Sequence, residues 1–130
     1  MREVTGGSQT ILLAEDDGAV RRLARDVLSR HGYDVLEARD GDEALGIARA
    51  HSGAIDLLIT DVVMPGLSGR DLADRLKEYQ PSVRVLYTSG YTENIIMRNS
   101  LEGDLRLLAK PFLPSDLLRT VAERFGDAAA

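Results

Sequence analysis

The chain has 130 residues, 44% of them hydrophobic, with a formal net charge of −5 and no cysteine. This length and apolar content fit one domain that buries its own core, and disulfide frameworks and thiolate metal sites are excluded. The acidic balance argues against direct nucleic-acid binding, and no apolar stretch approaches the roughly 20 residues that span a bilayer. We therefore expect a cytoplasmic protein without membrane contact.

The first part of the chain predicts a strand that leads through acidic residues into a helix. Residues 1–8 are polar and glycine-containing, as is typical of a flexible linker. Thr10–Ala14 is a short apolar run that indicates a strand, and Glu15, Asp16 and Asp17 follow it directly. Asp17 is the expected N-cap of the helix, whose arginines should mostly face water. Its predicted buried face consists of Val20, Leu23, Ala24, Val27 and Leu28.

Two further strands of unlike character come next. Tyr33–Ala38 alternates in polarity, which favours an exposed position near a sheet edge, and residues 40–42 turn the chain into a second helix. Ile55–Ile59 is nearly all apolar, which indicates a fully buried central strand of a parallel sheet. This strand leads into Asp61, and a loop rich in proline and glycine over 64–69 follows.

The rest of the chain continues the alternation of helices and strands. A helix should place Leu72, Ala73, Leu76 and Tyr79 on its buried face. After it we expect a strand over Val83–Tyr87, a weaker helix over 92–101, a strand over Leu105–Ala109, and a last helix with Pro114 near its start.

Five strands that alternate with five helices predict a doubly wound α/β domain with a parallel sheet. The carboxyl ends of parallel strands meet at one edge, where such folds bind ligands. We therefore expect the residues at these ends to lie together: Glu15, Asp16, Asp61, Thr88 and Lys110.

Converging carboxylates favour a bound divalent cation, because like charges in a partly buried site repel one another. Oxygen ligands suit Mg²⁺, and Lys110 and Thr88 would supply a positive charge and a hydroxyl donor at the same point. This set suits phosphoryl transfer, with Asp61 as the acceptor. Taken singly, the acids also fit helix caps or solvated loop residues, and we prefer that interpretation for Asp17, Asp40 and Asp42.

Four short motifs together resemble the receiver domain of two-component response regulators. They are Ile11–Asp17, Asp61–Gly66, Thr88–Gly90 and Lys110–Phe112, in the family's order and spacing. The resemblance covers residues 9–126 and leaves a short tail over 127–130. It implies a flavodoxin-like sheet of order 2-1-3-4-5 with five helices, and a cis peptide bond between Lys110 and Pro111.

The resemblance also implies a role for each site residue. Asp61 would be the phosphoacceptor, and Asp16 and Asp61 would bind Mg²⁺ directly, with Glu15 acting through water and Val63 offering its backbone carbonyl. The residues that would contact the phosphoryl group are Thr88 and Lys110.

The implied function is a phosphorelay step followed by a conformational switch. A histidine kinase or phosphotransfer domain would donate the phosphoryl group, and the receiver would catalyse its own phosphorylation and dephosphorylation. Thr88 would move toward the phosphoryl oxygens and shift the face formed by the helix over 92–101, the last strand and the last helix, which an output partner would then bind.

Two positions depart from the common receiver pattern. Many receivers have an aromatic switch residue three positions before the lysine, where this chain has Leu107. Val63, two residues after the acceptor, has no polar group to orient an attacking water. We therefore expect a comparatively long-lived aspartyl phosphate.

Other interpretations remain open at this point. The same cluster would serve a Mg²⁺-dependent phosphatase with an aspartyl-phosphate intermediate, although such enzymes typically need an acid at the position of Val63. A binding module without phosphorylation would be favoured only if an acid or the lysine were missing. The sequence holds no effector domain, so it is either a stand-alone receiver or, as we favour, part of a hybrid histidine kinase; homodimerisation is possible.

Overall fold

The fold is known from a computed structural model, which describes residues 9–90 and 107–126. Five strands and four helices lie in these ranges. The strands are β1 Thr10–Ala14, β2 Asp34–Ala38, β3 Leu57–Asp61, β4 Arg84–Ser89 and β5 Leu107–Ala109. The helices are α1 Gly18–Arg30, α2 Gly41–Ala50, α3 Gly69–Tyr79 and α4 Pro114–Arg124.

The strands form one parallel sheet of order β2-β1-β3-β4-β5. The doubly wound α/β prediction and the order 2-1-3-4-5 are thereby confirmed. The expected count of five helices is not confirmed, because the described ranges hold four and the helix expected over 92–101 lies outside them. The linker expected over 1–8 and the tail over 127–130 also lie outside the described ranges.

Apolar side chains cover both faces of the sheet, which explains why the central strands read as continuous apolar runs. Every residue of β3 is buried. On one face α2 and α3 pack on alternate strand residues such as Leu12 and Leu58, and on the other α1 and α4 pack on Ile11 and Leu57. Burial of each such side chain contributes roughly 1.5–3 kcal/mol. The two layers hold the strand ends in fixed register.

Local signals determine where the helices begin. The Asp17 carboxylate accepts hydrogen bonds from the N–H groups of Ala19 and Val20, so it is the N-cap of α1 as expected. Asp40 caps α2 in the same way, and the Ser68 hydroxyl caps α3. Asp17 and Asp40 are therefore helix caps, and Asp42 is an exposed residue in the first turn of α2.

Two side chains expected on buried helix faces are exposed. Leu23 is 44% exposed, and it borders an apolar depression together with Val20 and Phe112. Tyr79, at the end of α3, is 45% exposed, and its hydroxyl accepts a hydrogen bond of 3.0 Å from Arg49 Nε. Helical periodicity gives the direction of a side chain but not the extent of the layer that covers it.

Within the described ranges, the helices are too short or too polar for a bilayer crossing.

Candidate functional site

The register of the sheet brings the residues at the strand ends to one edge. Asp61 of β3 and Thr88 of β4 are paired residues in the ladder, and Ala14 of β1 pairs with Thr60. Glu15 therefore follows β1 at the level of Asp61. Lys110 follows β5 and its N–H donates to the Ser89 carbonyl at 2.8 Å, which aligns it with the end of β4.

Asp61 is the buried centre of this edge, with only 3% of its surface exposed. Its Oδ1 accepts a hydrogen bond of 2.8 Å from the Thr88 hydroxyl and lies 2.7 Å from the Lys110 ammonium. A hydroxyl and a cation therefore converge on one oxygen of a single carboxylate.

Lys110 links this carboxylate to a second one. Its Nζ lies 3.2 Å from Glu15 Oε1, and the other oxygen of Glu15 accepts the N–H of Asp17 at 3.0 Å. Glu15 is 3% exposed, so its carboxylate is held by the protein on both oxygens. Asp16 is exposed at the mouth of the same edge.

The three acids offer a suitable donor set for a hard divalent cation. One carboxylate oxygen each from Glu15, Asp16 and Asp61 lies within 4.8 Å of the others. Such all-oxygen donors are the ligands that Mg²⁺ prefers, with the remaining positions left to water and substrate phosphate. The residues present therefore fit a magnesium ion.

The protonation equilibria of the metal-free site reflect crowding of these charges. Burial and the neighbouring Glu15 raise the pKa of Asp61 to about 7, although Lys110 and Thr88 act in the opposite direction. Burial lowers the pKa of Lys110, but the contacts with Asp61 and Glu15 outweigh it, and the pKa lies above its ordinary value. Lys110 is thus a permanent cation, and Asp61 carries an electrostatic penalty that a bound cation would relieve.

A cavity of about 410 Å³ opens over Asp61 and is lined by Asp16, Asp61, Val63, Met64, Pro65 and Lys110. Val63 is 57% exposed at this cavity, and its side chain is apolar. The loop below is tight: the Gly69 N–H donates to the Val62 carbonyl at 2.9 Å, and a Cβ at Gly69 would overlap the carbonyl of Asp61. Gly66 has a φ of +80°, which favours glycine.

All the residues expected at the strand ends therefore lie together. Leu107, at the position of the aromatic switch residue, is partly buried and pairs with Tyr87 in the sheet. The peptide bond between Lys110 and Pro111 is cis, as expected.

Sequence reasoning missed one residue at this edge. Arg21 was expected to face water, but its side chain is only 16% exposed and Nη1 donates to the Glu15 carbonyl at 2.9 Å. Because the acceptor is a backbone group, no pattern of side chains in a single sequence could have shown this contact.

The fold and the site define a doubly wound α/β domain with a candidate cation and phosphate site at the carboxyl edge of its sheet. The family model described as response regulator receiver domain matches residues 11–122, and the chain belongs to this family. It is a receiver domain of two-component systems, and the phosphatase alternative is not favoured.

Relatives show the family both as part of larger proteins and as a near-complete chain. The sensor kinase CckA of Brucella abortus is 40% identical over 90% of this chain, which spans only 12% of that kinase. The response regulator receiver protein CpdR of the same organism is 34% identical over 85% of this chain and 92% of its own length.

Solved structures agree with this assignment. The receiver domain from hybrid histidine kinase CckA matches with a TM-score of 0.75 and 37% identity, over 88% of this chain and 97% of that one. A response regulator receiver protein from Sinorhizobium medicae matches with a TM-score of 0.79 and 25% identity, over 92% and 95% of the two chains.

Proposed function

We propose that this receiver accepts a phosphoryl group on the carboxylate of Asp61. The observation that supports this most strongly is the convergence of Thr88 Oγ1 and Lys110 Nζ on Asp61 Oδ1, at 2.8 and 2.7 Å, beside a triad of carboxylates. Phosphoryl transfer depends mainly on positioning and on neutralising oxygen charge, and this edge provides both.

Receiver domains interact with histidine kinases or phosphotransfer proteins. We infer that the donor here is a phosphohistidine of such a protein. An oxygen of Asp61 forms the new bond to phosphorus while the bond from phosphorus to the imidazole nitrogen breaks, and the histidine leaves with the electron pair of that bond. Lys110 pairs with the charge on the phosphoryl oxygens, and the Thr88 hydroxyl donates to one of them.

Magnesium would be held by Asp16, Asp61 and the backbone carbonyl of Val63, with Glu15 acting through water, and it would neutralise charge on the transferred group. Asp16 is the exposed acid and is available to a cation from solvent. Glu15 is already bound on both oxygens by Asp17 and Lys110, which suits an indirect role.

The proposed switch is a displacement of Thr88 toward the phosphoryl oxygens. Its hydroxyl is bound to Asp61 in the unphosphorylated protein, so phosphorylation offers it a new acceptor. Leu107 packs beside Tyr87 as a partly buried aliphatic side chain, so the switch here would act through Thr88 without an aromatic partner at that position.

The high identity to the sensor kinase CckA supports a place in a hybrid kinase, whereas the near-complete coverage of CpdR supports a stand-alone receiver. We favour the hybrid kinase. In both cases the described site would be the phosphoacceptor.

The test is intact mass and Phos-tag mobility after incubation with acetyl phosphate, with and without Mg²⁺. We expect one phosphoryl group to be added only with Mg²⁺, to the parent and to Asp42→Asn, which changes an exposed acid of α2, but not to Asp61→Asn. An adduct that persists in Asp61→Asn would refute the assignment of Asp61.

A further inference from the structure

Arg21 of α1 binds the main chain of the acidic loop between β1 and α1. Its Nη1 donates to the Glu15 carbonyl at 2.9 Å, and its side chain is 16% exposed. The neighbouring Arg22 is exposed. Of these two arginines, only Arg21 donates a hydrogen bond to the segment that carries Glu15 and Asp16.

Glu37 of β2 holds Arg21 in this position. Its Oε1 lies 3.5 Å from Arg21 Nε, and its Oε2 accepts a hydrogen bond of 2.8 Å from Nη1 of Arg25, one turn further along α1. The next residue of β2, Ala38, accepts the N–H of Glu15 at 3.1 Å. Both backbone groups of Glu15 are therefore tied to β2, one directly and the other through Arg21.

Helix energetics do not explain a cation at this place. Arg21 is the fourth residue of α1, close to its N-terminus, where the helix dipole disfavours positive charge by roughly 0.3–1 kcal/mol. The carboxylate of Glu37 offsets this charge locally. The pair therefore contributes a rigid attachment for the acidic loop while it adds little net charge beside the carboxylates.

We propose that Arg21 is a positioning residue, anchored by Glu37, that holds Glu15 and Asp16 in the arrangement that binds a divalent cation. This inference rests on the proposed function of the site. Groups behind metal ligands commonly govern affinity because they fix the orientation of the ligands before the metal binds.

The test compares Mg²⁺ binding to the parent, Arg21→Met and Arg25→Met by calorimetry and by the amide shifts of Glu15 and Asp16. Arg21→Met should raise the Kd for Mg²⁺ roughly tenfold. Arg25→Met removes the other ion pair of Glu37 but touches no group of Glu15, so its Kd should equal that of the parent. Arg21→Lys keeps a donor and should recover part of the affinity.

Acetyl phosphate kinetics separate positioning from a general loss of structure. In Arg21→Met the Mg²⁺ concentration for half-maximal phosphorylation should rise by the same factor, while the rate at saturating Mg²⁺ stays within about twofold of the parent. A variant that is merely unstable would lose the saturating rate in proportion to its unfolded fraction.

The outcomes distinguish this inference from the proposed function. If the parent binds Mg²⁺ and is phosphorylated on Asp61, but folded Arg21→Met has the parent's Kd, the positioning role is refuted and the function stands. If the parent neither binds Mg²⁺ nor accepts phosphate, both fail. Should Arg21→Met not fold, Glu37→Ala decides, because it removes the acceptor that anchors Arg21. An unchanged Kd refutes the anchored positioning role, and a raised Kd supports it.

Discussion

The ammonium of Lys110 lies 2.7 Å from Asp61 Oδ1, so the proposed phosphoacceptor is paired with a cation before any phosphate arrives. The same ammonium lies 3.2 Å from Glu15. Lys110 therefore partly neutralises the carboxylates that would hold a metal, and it also lies where it can contact an incoming phosphoryl group. Removal of Lys110 is therefore expected to change Mg²⁺ affinity and the rate of phosphorylation in opposite directions.

Lys110→Met should strengthen Mg²⁺ binding but slow phosphorylation. Loss of the competing cation should lower the Kd for Mg²⁺ roughly fivefold, which corresponds to about 1 kcal/mol. Loss of charge pairing with the phosphoryl oxygens should slow phosphorylation by acetyl phosphate about 100-fold. Calorimetry and mass spectrometry measure the two effects. The control is Lys77→Met, which changes the chain's other lysine, exposed on α3. Weaker Mg²⁺ binding in Lys110→Met would contradict the view that the Lys110 ammonium competes with Mg²⁺ for the carboxylates.

Gly69→Ala should destabilise the fold, whereas Gly46→Ala should stabilise it. A Cβ at Gly69 would overlap the Asp61 carbonyl, which forces the loop away from β3 and should cost about 1–3 kcal/mol. Gly46 lies inside α2 and a Cβ there meets nothing within 4 Å, so alanine should add up to about 1 kcal/mol through helix propensity. Urea unfolding measures both changes. Equal stability of the two variants would show that the loop tolerates a side chain at Gly69.

The pH dependence of stability follows from the raised pKa of Asp61. In the metal-free fold this pKa is about 7, above its ordinary value of 3.8, so the folded state binds more protons than the unfolded state between these values. The free energy of unfolding contributed by Asp61 is therefore greatest at low pH and is lost as the pH rises toward 7, on the order of 1.4 kcal/mol per pKa unit.

Urea unfolding of the parent and Asp61→Asn in EDTA, at pH 5 and pH 8, measures this contribution. Asparagine cannot ionise, so the stability of the variant relative to the parent should increase toward pH 8. Addition of Mg²⁺ at pH 8 should stabilise the parent more than the variant. Parallel pH profiles of the two proteins would show that the pKa of Asp61 is not raised.

The composition of the site could be predicted from sequence because parallel strands share one carboxyl edge. Strands that lead into Glu15, Asp61 and Thr88 must present these residues at the same edge, and they are close together here because β1, β3 and β4 are neighbours in the sheet. The order itself required the family resemblance, since periodicity carries no information on which strands are neighbours. The hydrogen bond from Arg21 to the Glu15 carbonyl depends on the three-dimensional path of the chain, so the residue pattern could not predict it.

Val63→Asn should shorten the life of the aspartyl phosphate. Val63 is 57% exposed and lines the cavity over Asp61, but its side chain has no group that can orient water. An amide at this position would align a water with the phosphorus, and hydrolysis should accelerate roughly tenfold, which is less than the about 100-fold or more that a general base contributes, because an amide orients water without accepting its proton. Release of inorganic phosphate from the isolated phosphoprotein measures the rate. Leu113→Asn, a matched change at another exposed apolar residue, should leave it unaltered. If Val63→Asn loses phosphate no faster than the parent, the apolar side chain is not what determines the lifetime.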